Sequence, residues 1–180
     1  MSHPQLSAEV LSPEWSARYQ TWRAAADARL RAKDWQGAYK DYPWPEPGPA
    51  PWTALSRALS NSRIAIMCSG GLSLPDQAPF DDESPEGDAT WRSLPSRLEA
   101  WTVHHGHYNP AAALRDHNAI FPTAALSSLA DDGTIGGVAP RHVSFMGYQP
   151  NPARFLDDAL PAIVDQLHAD AVDAVLMVPV

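Results

Sequence analysis

The sequence predicts an α/β protein, with a parallel, Rossmann-like or flavodoxin-like sheet preceded by a helical, Pro/Trp-rich arm. Three observations predict it. Arg63–Cys68 (RIAIMC), Val143–Gly147 and Val172–Val180 (VDAVLMVPV) are short apolar runs rich in β-branched residues, the pattern of strands covered on both faces. The last two flank an amphipathic helical segment, Pro152–Ala169, which makes a right-handed βαβ unit by default. The 18 prolines and 7 tryptophans are unusual numbers, and the prolines cluster in Tyr42–Trp52 (YPWPEPGPAPW). That stretch is too Pro-rich for a helix or a central strand and reads as an extended linker pinned to the surface by its tryptophans. The expected division is an arm over 1–60 and an α/β domain over 61–180. This domain is expected to be incomplete at its C-terminus, because its last strand reads as a buried one with nothing after it.

The elements follow in order. Ser12 is a good N-cap and Pro13 suits the first helical position, where its missing N–H costs nothing. Trp15, Tyr19, Trp22, Ala26 and Leu30 then form one apolar stripe, expected to dock on the main domain or a second subunit. Arg63–Cys68 is the first strand and runs into Ser69-Gly70-Gly71. A polar stretch with four breaking prolines follows; within it, Asp88 and Arg92 are expected to pair across one helical turn, and Trp91 leaves open a loop that covers substrate. A second strand is expected near Leu98–His104. Pro110–Arg115 and Pro122–Ala130 read as short helices, the latter closed by Asp131-Asp132-Gly133. Asn151 caps the helix from Pro152, with Phe155, Leu156, Leu160, Ile163, Val164 and Leu167 as its buried face and Pro161 as a kink or break. The inner strands of the sheet are expected at Ile64–Met67, Ala100–Val103, Ser144–Met146 and Ala174–Met177.

Composition narrows the function. With 180 residues the chain can bury about 70% of its unfolded surface. A net charge of -8 argues against nucleic acid or an anionic membrane as partner. No apolar run approaches the ~20 residues that span a bilayer, and the N-terminus lacks a basic and an apolar signal region. One cysteine, Cys68, rules out an internal disulfide and suits a cytoplasmic protein.

In a parallel sheet the ligand site lies beyond the carboxyl ends of the strands. Four segments should converge there: Ser69-Gly70-Gly71, His104–Tyr108, Gly147-Tyr148 and Pro179-Val180. Small residues in the first let backbone N–H groups approach an anion, though the pattern is neither GxGxxG nor a P-loop, and a plain tight turn fits it equally. His104, His105, His107 and His117, with Asp116 nearby, invite a metal reading and a hydrolase, but no HExxH helix or Cys-rich knuckle supports it. Imidazoles titrate near neutrality, so His104 or His107 is open as general acid or base. Cys68, inside the first strand, reads as a small core residue. A non-catalytic binding or interaction domain using the same sheet edge is the other class.

Seven segments in order carry a resemblance: Ser62–Gly71 (SRIAIMCSGG), Asp76–Asp81 (DQAPFD), Gly87–Pro95 (GDATWRSLP), His105–Pro110 (HGHYNP), Asp116–Pro122 (DHNAIFP), Gly133–Tyr148 (GTIGGVAPRHVSFMGY) and Asp170–Val180 (DAVDAVLMVPV). The set resembles the selenoprotein B family of glycine, sarcosine, betaine and D-proline reductases, nearest the D-proline branch, over roughly Trp52–Val180. The resemblance implies a reductive cleavage of a C–N bond in an amino acid or derivative. It implies a selenocysteine, or a cysteine in some members, directly after the last strand, that is, after Val180, so that this chain holds no nucleophile and is expected to be inactive alone. It implies a partner subunit carrying a pyruvoyl group, a thiol reductant, a small amino-acid substrate and an oligomeric assembly. Carried onto this sequence, His105 and His107 become candidate acid/base residues. Ser69, Gly70, Gly71, Asp116, Asn118, Gly147 and Pro179 become candidates for substrate binding, and Gly136 for support of the fold.

Overall fold

The computed structural model describes residues 7, 10–46, 52–106 and 108–180. The first helix, α1 (Pro13–Arg31), begins as its sequence dictates: Ser12 Oγ accepts from the Trp15 N–H at 3.1 Å and Pro13 occupies the first turn. All five stripe residues are buried, and their partners come mainly from the adjoining segment. The turn after α1 passes through Lys33 at φ 56, and α2 (Trp35–Tyr39) is capped by Asp34. The indole N–H of Trp22 donates to Ala38 O and that of Trp15 to Pro43 O, so each buried tryptophan satisfies its single donor. Tyr39, Tyr42 and Trp44 extend the aromatic cluster. Ala153 and Leu156 pack against it, and Tyr42 Oη donates to Pro150 O. The stripe thus docks within its own chain. The linker departs from expectation: Trp44 and Trp52 are exposed, so neither is buried as an anchor, and 47–51 lie outside the described residues.

The chain is mixed α/β with a mostly parallel central sheet. β1 (Arg63–Cys68) lies in the middle, buried from its second residue onward. On one side it pairs in parallel with β7 (Ala174–Val178) over five residue pairs. On the other it meets β5 (Gly137–Val138) and then β6 (Arg141–Phe145), also in parallel. Arg63 and Ile64 face Gly137 and Val138, whereas Met67 and Cys68 face Val143 and Ser144. The partner line therefore carries two more residues than β1 over the same span, and the ladder breaks at Ala139-Pro140. His142 repairs the break. Its Nδ1 accepts from the Ile66 N–H at 3.0 Å, so a buried donor without a strand partner is satisfied by a side chain. The ring is fully buried edge-on to Phe121, and burial pushes its pKa down to about 4, which keeps it neutral.

Several expected elements are corrected. The sheet is closed on one side by β3 (Trp91–Pro95), antiparallel to β6 over five pairs, where a loop or helical turn was expected. Arg92 accordingly does not pair with Asp88. Its guanidinium lies 4.1 Å over the Phe80 ring and donates to Ala78 O and Pro79 O. The segment expected as an inner strand at Ala100–Val103 contributes only β4 (Thr102–Val103), which pairs antiparallel with β2 (Leu72–Ser73) outside the central sheet. β7, expected as a buried strand, lies on the sheet's edge, with Leu176 42% and Met177 57% exposed on opposite faces.

The short helices α3 (Ala111–Arg115) and α4 (Thr123–Asp131) stand where their patterns put them, and Gly133 closes α4 at φ 77. The last helix starts at Asn151, whose side chain accepts from the Ala153 N–H, and stays helical through α5 (Pro152–Arg154), a π-helical stretch (Phe155–Ala159) and α6 (Leu160–Ala169). The expected break at Pro161 is instead a widened turn just before it, which accommodates the missing donor without ending the helix. Val164 is exposed, and Ala159 and Gln166 are buried with Phe155 and Ile163. Among the described residues no helix is long and apolar enough to cross a membrane.

Candidate active site at the carboxyl edge of the sheet

β1, β6 and β7 are parallel, so their carboxyl ends meet at one edge, and the segments that follow them are tied together there. The Ser69 N–H donates to Val178 O, Ser69 O accepts from the Gly147 N–H at 2.8 Å, and the Val180 N–H donates to Ser69 Oγ at 2.9 Å. One serine thus joins the ends of three neighbouring strands. The Gly71 N–H donates to Phe145 O, and the His104 N–H donates to Gly71 O. Tyr108 Oη donates to Gly70 O at 3.3 Å. The loop after β4 therefore reaches this edge although β4 is not a strand of the central sheet.

The glycines explain how four segments fit into so little space. Gly71 has φ +67, and a Cβ there would lie 2.2 Å from His104 O. A Cβ on Gly70 would meet Ile120 Cδ1 at 2.6 Å, with Cys68 Sγ and Val180 Cγ2 just beyond. On Gly147 it would press against Ser69. The three N–H groups of Ser69-Gly70-Gly71 all donate within the fold, to Val178 O, Cys68 Sγ and Phe145 O. A tight turn is built here, and those donors do not form an anion cradle.

Beneath the turn Cys68 is fully buried, its thiol donating to Ile120 O at 3.0 Å, and burial pushes its pKa up to about 11. It is a core residue, as its position in the strand suggests. Burial also raises the Tyr108 phenol, to about 12, which keeps it a neutral donor. His104 Nε2 is 3.0 Å from Thr102 Oγ1 and its ring lies near Phe80, while His105 packs on Tyr108. His107 lies outside the described residues. The rim so formed is made of hydroxyls, imidazoles and backbone, groups that can orient a small polar molecule and carry a proton. An apolar notch lined by Met67, Phe145, Met177, Val178 and Pro179, with Ser69 as its polar member, opens beside it.

Other candidates lie elsewhere. Asp116 accepts from the Asn118 N–H and side chain, and Asn118 Oδ1 accepts from the Ala124 N–H at 2.9 Å, capping work at the start of α4. With His117 and Thr123, Asn118 faces Ser96, Arg97 and Leu98 across a shallow cleft, and Ser96 is bonded to Pro140 beside the start of β6. His117 Nε2 is 3.0 Å from Thr123 Oγ1, its ring packs on Trp101, and burial lowers its pKa. The described histidines of the cluster therefore sit in separate surroundings. Among the described residues no three His, Cys, Asp or Glu side chains gather as a metal set. Gly136 lies at the opposite end of β1, its N–H donating to Ser62 O. Ser69 and Tyr108 lie in segments expected at this edge, but a hydroxyl beside two glycines reads only as part of a turn, and it takes the meeting of three strand ends to give Ser69 its three partners.

The comparisons with known proteins concern this same span. The model of a family described as glycine/sarcosine/betaine reductase selenoprotein B matches residues 29–180. The D-proline reductase subunit gamma of Acetoanaerobium sticklandii is 29% identical over 131 residues, 72% of this chain and 53% of the relative. The glycine reductase complex component B subunit gamma of Peptoclostridium acidaminophilum is 28% identical over 149 residues, 76% of this chain and 32% of the relative. The chain thus spans about half the length of the first relative and a third of the second. No solved structure matches.

Proposed function

The chain belongs to the glycine/sarcosine/betaine reductase selenoprotein B family, and from that premise we propose that it forms the amino-terminal part of a reductase that cleaves a C–N bond of an amino acid or derivative, of the D-proline or glycine/betaine type. The observation that carries the reading is the convergence of the β1, β6 and β7 ends on Ser69, with Val180 clasped at the rim. Active groups of parallel α/β sheets sit at this edge. We place the family's selenocysteine, or a cysteine, directly after Val180. The residues present suit such a group, because Val180 is 39% exposed and the groups that hold it are neutral. When present, a selenolate would supply a nucleophile ionised at neutral pH, and a partner subunit's pyruvoyl group would activate the substrate amine.

This chain's own residues then have limited tasks. Ser69, Gly70, Gly71 and Gly147 hold the strand ends in register and let the substrate approach closely. We assign to His105 and His107 the task of taking up or delivering a proton at the amine that leaves or the carbon that is reduced, because imidazoles titrate near neutrality. A thiol reductant returns the enzyme to its reduced state, and the assembly is an oligomer in the cytoplasm. Asp116 and Asn118 act on this site only through the loop they cap.

The test is the DNA after the Val180 codon. An in-frame UGA followed by a cysteine-containing reading frame is expected. An ordinary stop with no coding continuation would remove the placement of the nucleophile.

A further inference from the structure

We infer that Ser69 is a positioning residue for the reactive end of β7: its hydroxyl clasps the Val180 amide and offers its own proton to the side chain that follows. This rests on the reading that a selenocysteine or cysteine comes after Val180. Three observations carry it. First, the Val180 N–H donates to Ser69 Oγ at 2.9 Å, so the oxygen is used as an acceptor and the hydroxyl proton stays available. No acceptor among the described residues takes that proton. Second, Ser69 cannot swing freely. Its N–H is held by Val178 O, its carbonyl by the Gly147 N–H, and its side chain lies against Gly147, where a Cβ would sit 3.2 Å from Ser69 Cβ and Oγ. Third, Ser69 is partly exposed and lines the notch formed with Met67, Phe145, Met177, Val178 and Pro179. In that notch it supplies the polar atom.

A hydroxyl in this position does two things. It fixes where β7 delivers its next residue, and it gives a thiolate or selenolate there a hydrogen-bond donor, which favours the ionised form. The turn itself has no other donor to give, since the N–H groups of Ser69, Gly70 and Gly71 are committed to Val178 O, Cys68 Sγ and Phe145 O.

The experiment lengthens the chain after Val180 by a cysteine and two glycines, which keep the terminal carboxylate away from the thiol. Alkylation rate against pH is measured for this chain and for its Ser69→Ala and Ser69→Thr variants; Cys68 is buried and does not compete. With Ser69 the thiol is expected to titrate below the ordinary value of about 8.5. Ser69→Ala should raise the midpoint and slow alkylation at pH 7 roughly threefold to tenfold, and Ser69→Thr should restore it. Equal, lowered midpoints in all three chains would overturn the role of Ser69 and leave the placement of the nucleophile standing. An ordinary midpoint with Ser69 in place would overturn the placement itself. Hydrogen exchange of the Val180 amide gives a check that needs no variant, since exchange at the rate of an unstructured amide would mean that the clasp does not exist.

Discussion

The two ends of the central sheet are held by different physics. At the amino end of β1 the ties are ionic: Asp170, with its side chain almost fully buried, takes a two-pronged bond from Arg141, and its carbonyl accepts from Arg63. Asp173 accepts from the Arg63 N–H and pairs with Arg57. At the carboxyl end the corresponding ties come from backbone, one serine hydroxyl, one tyrosine hydroxyl and closely packed glycines. The difference separates an end anchored by charge from an end held by neutral groups. Charge pairs hold their strands firmly but would impose a fixed charge on anything bound beside them, whereas neutral donors leave a reacting group free to change its own charge.

The comparison is broken most severely at Gly71. Gly71→Ala puts a methyl group at φ +67 and against His104 O, so it should cost about 4 kcal/mol in chemical denaturation, with the carboxyl edge deranged first. Next comes acid. The folded pKa of His142, about 4, lies below its unfolded value of 6.5, so between those values the unfolded chain binds more protons. That contribution is complete above about pH 6.5 and is lost as pH falls toward 4, about 3 kcal/mol in all. His142→Asn retains an acceptor for the Ile66 N–H and should flatten stability across that window. Denaturation curves at pH 7 and 5 that changed equally in both chains would refute the assignment.

At the amino end, Asp170→Asn should lower the melting temperature by a few degrees, and added salt should narrow the gap between the two chains. A Ser69→Ala chain, whose clasp is uncharged, should show no such salt dependence. The smallest effect is the sharpest control: Gly137→Ala, where a Cβ meets nothing within 4 Å, should stay within about 0.5 kcal/mol of the parent chain. A large loss there would mean that glycine at the start of β5 serves something other than space.

Much of this molecule is legible where a single segment carries its own reasons. Ser12 and Asn151 are caps because a side-chain oxygen lies next to free N–H groups, whatever the rest of the chain does. Trp91–Pro95 was illegible for the opposite reason. WRSLP has an arginine, a serine and a proline and no alternation of its own, and it is a strand because β6 offers it five partners. The candidate site divides the same way. Three of the four converging segments follow from parallel strands, whereas His104–Tyr108 is brought to the edge only by its bonds to Gly70 and Gly71; Asn118 lines another cleft, and Asp116 is spent on capping the turn beside it.

By itself, then, the sequence determined the helices with their caps, the apolar stripe of α1, the first and last strands and the sheet edge at which their carboxyl ends meet. These depend on periodicity and on hydrogen bonds between residues a few positions apart. The tertiary structure alone decided that β7 pairs with β1 on the side away from β5 and β6, that β3 runs antiparallel, that His142 mends a broken ladder and that Ser69 gathers three strand ends. Each of these is a pairing between residues far apart in the chain, and no local pattern encodes which distant backbone group will be left without a partner.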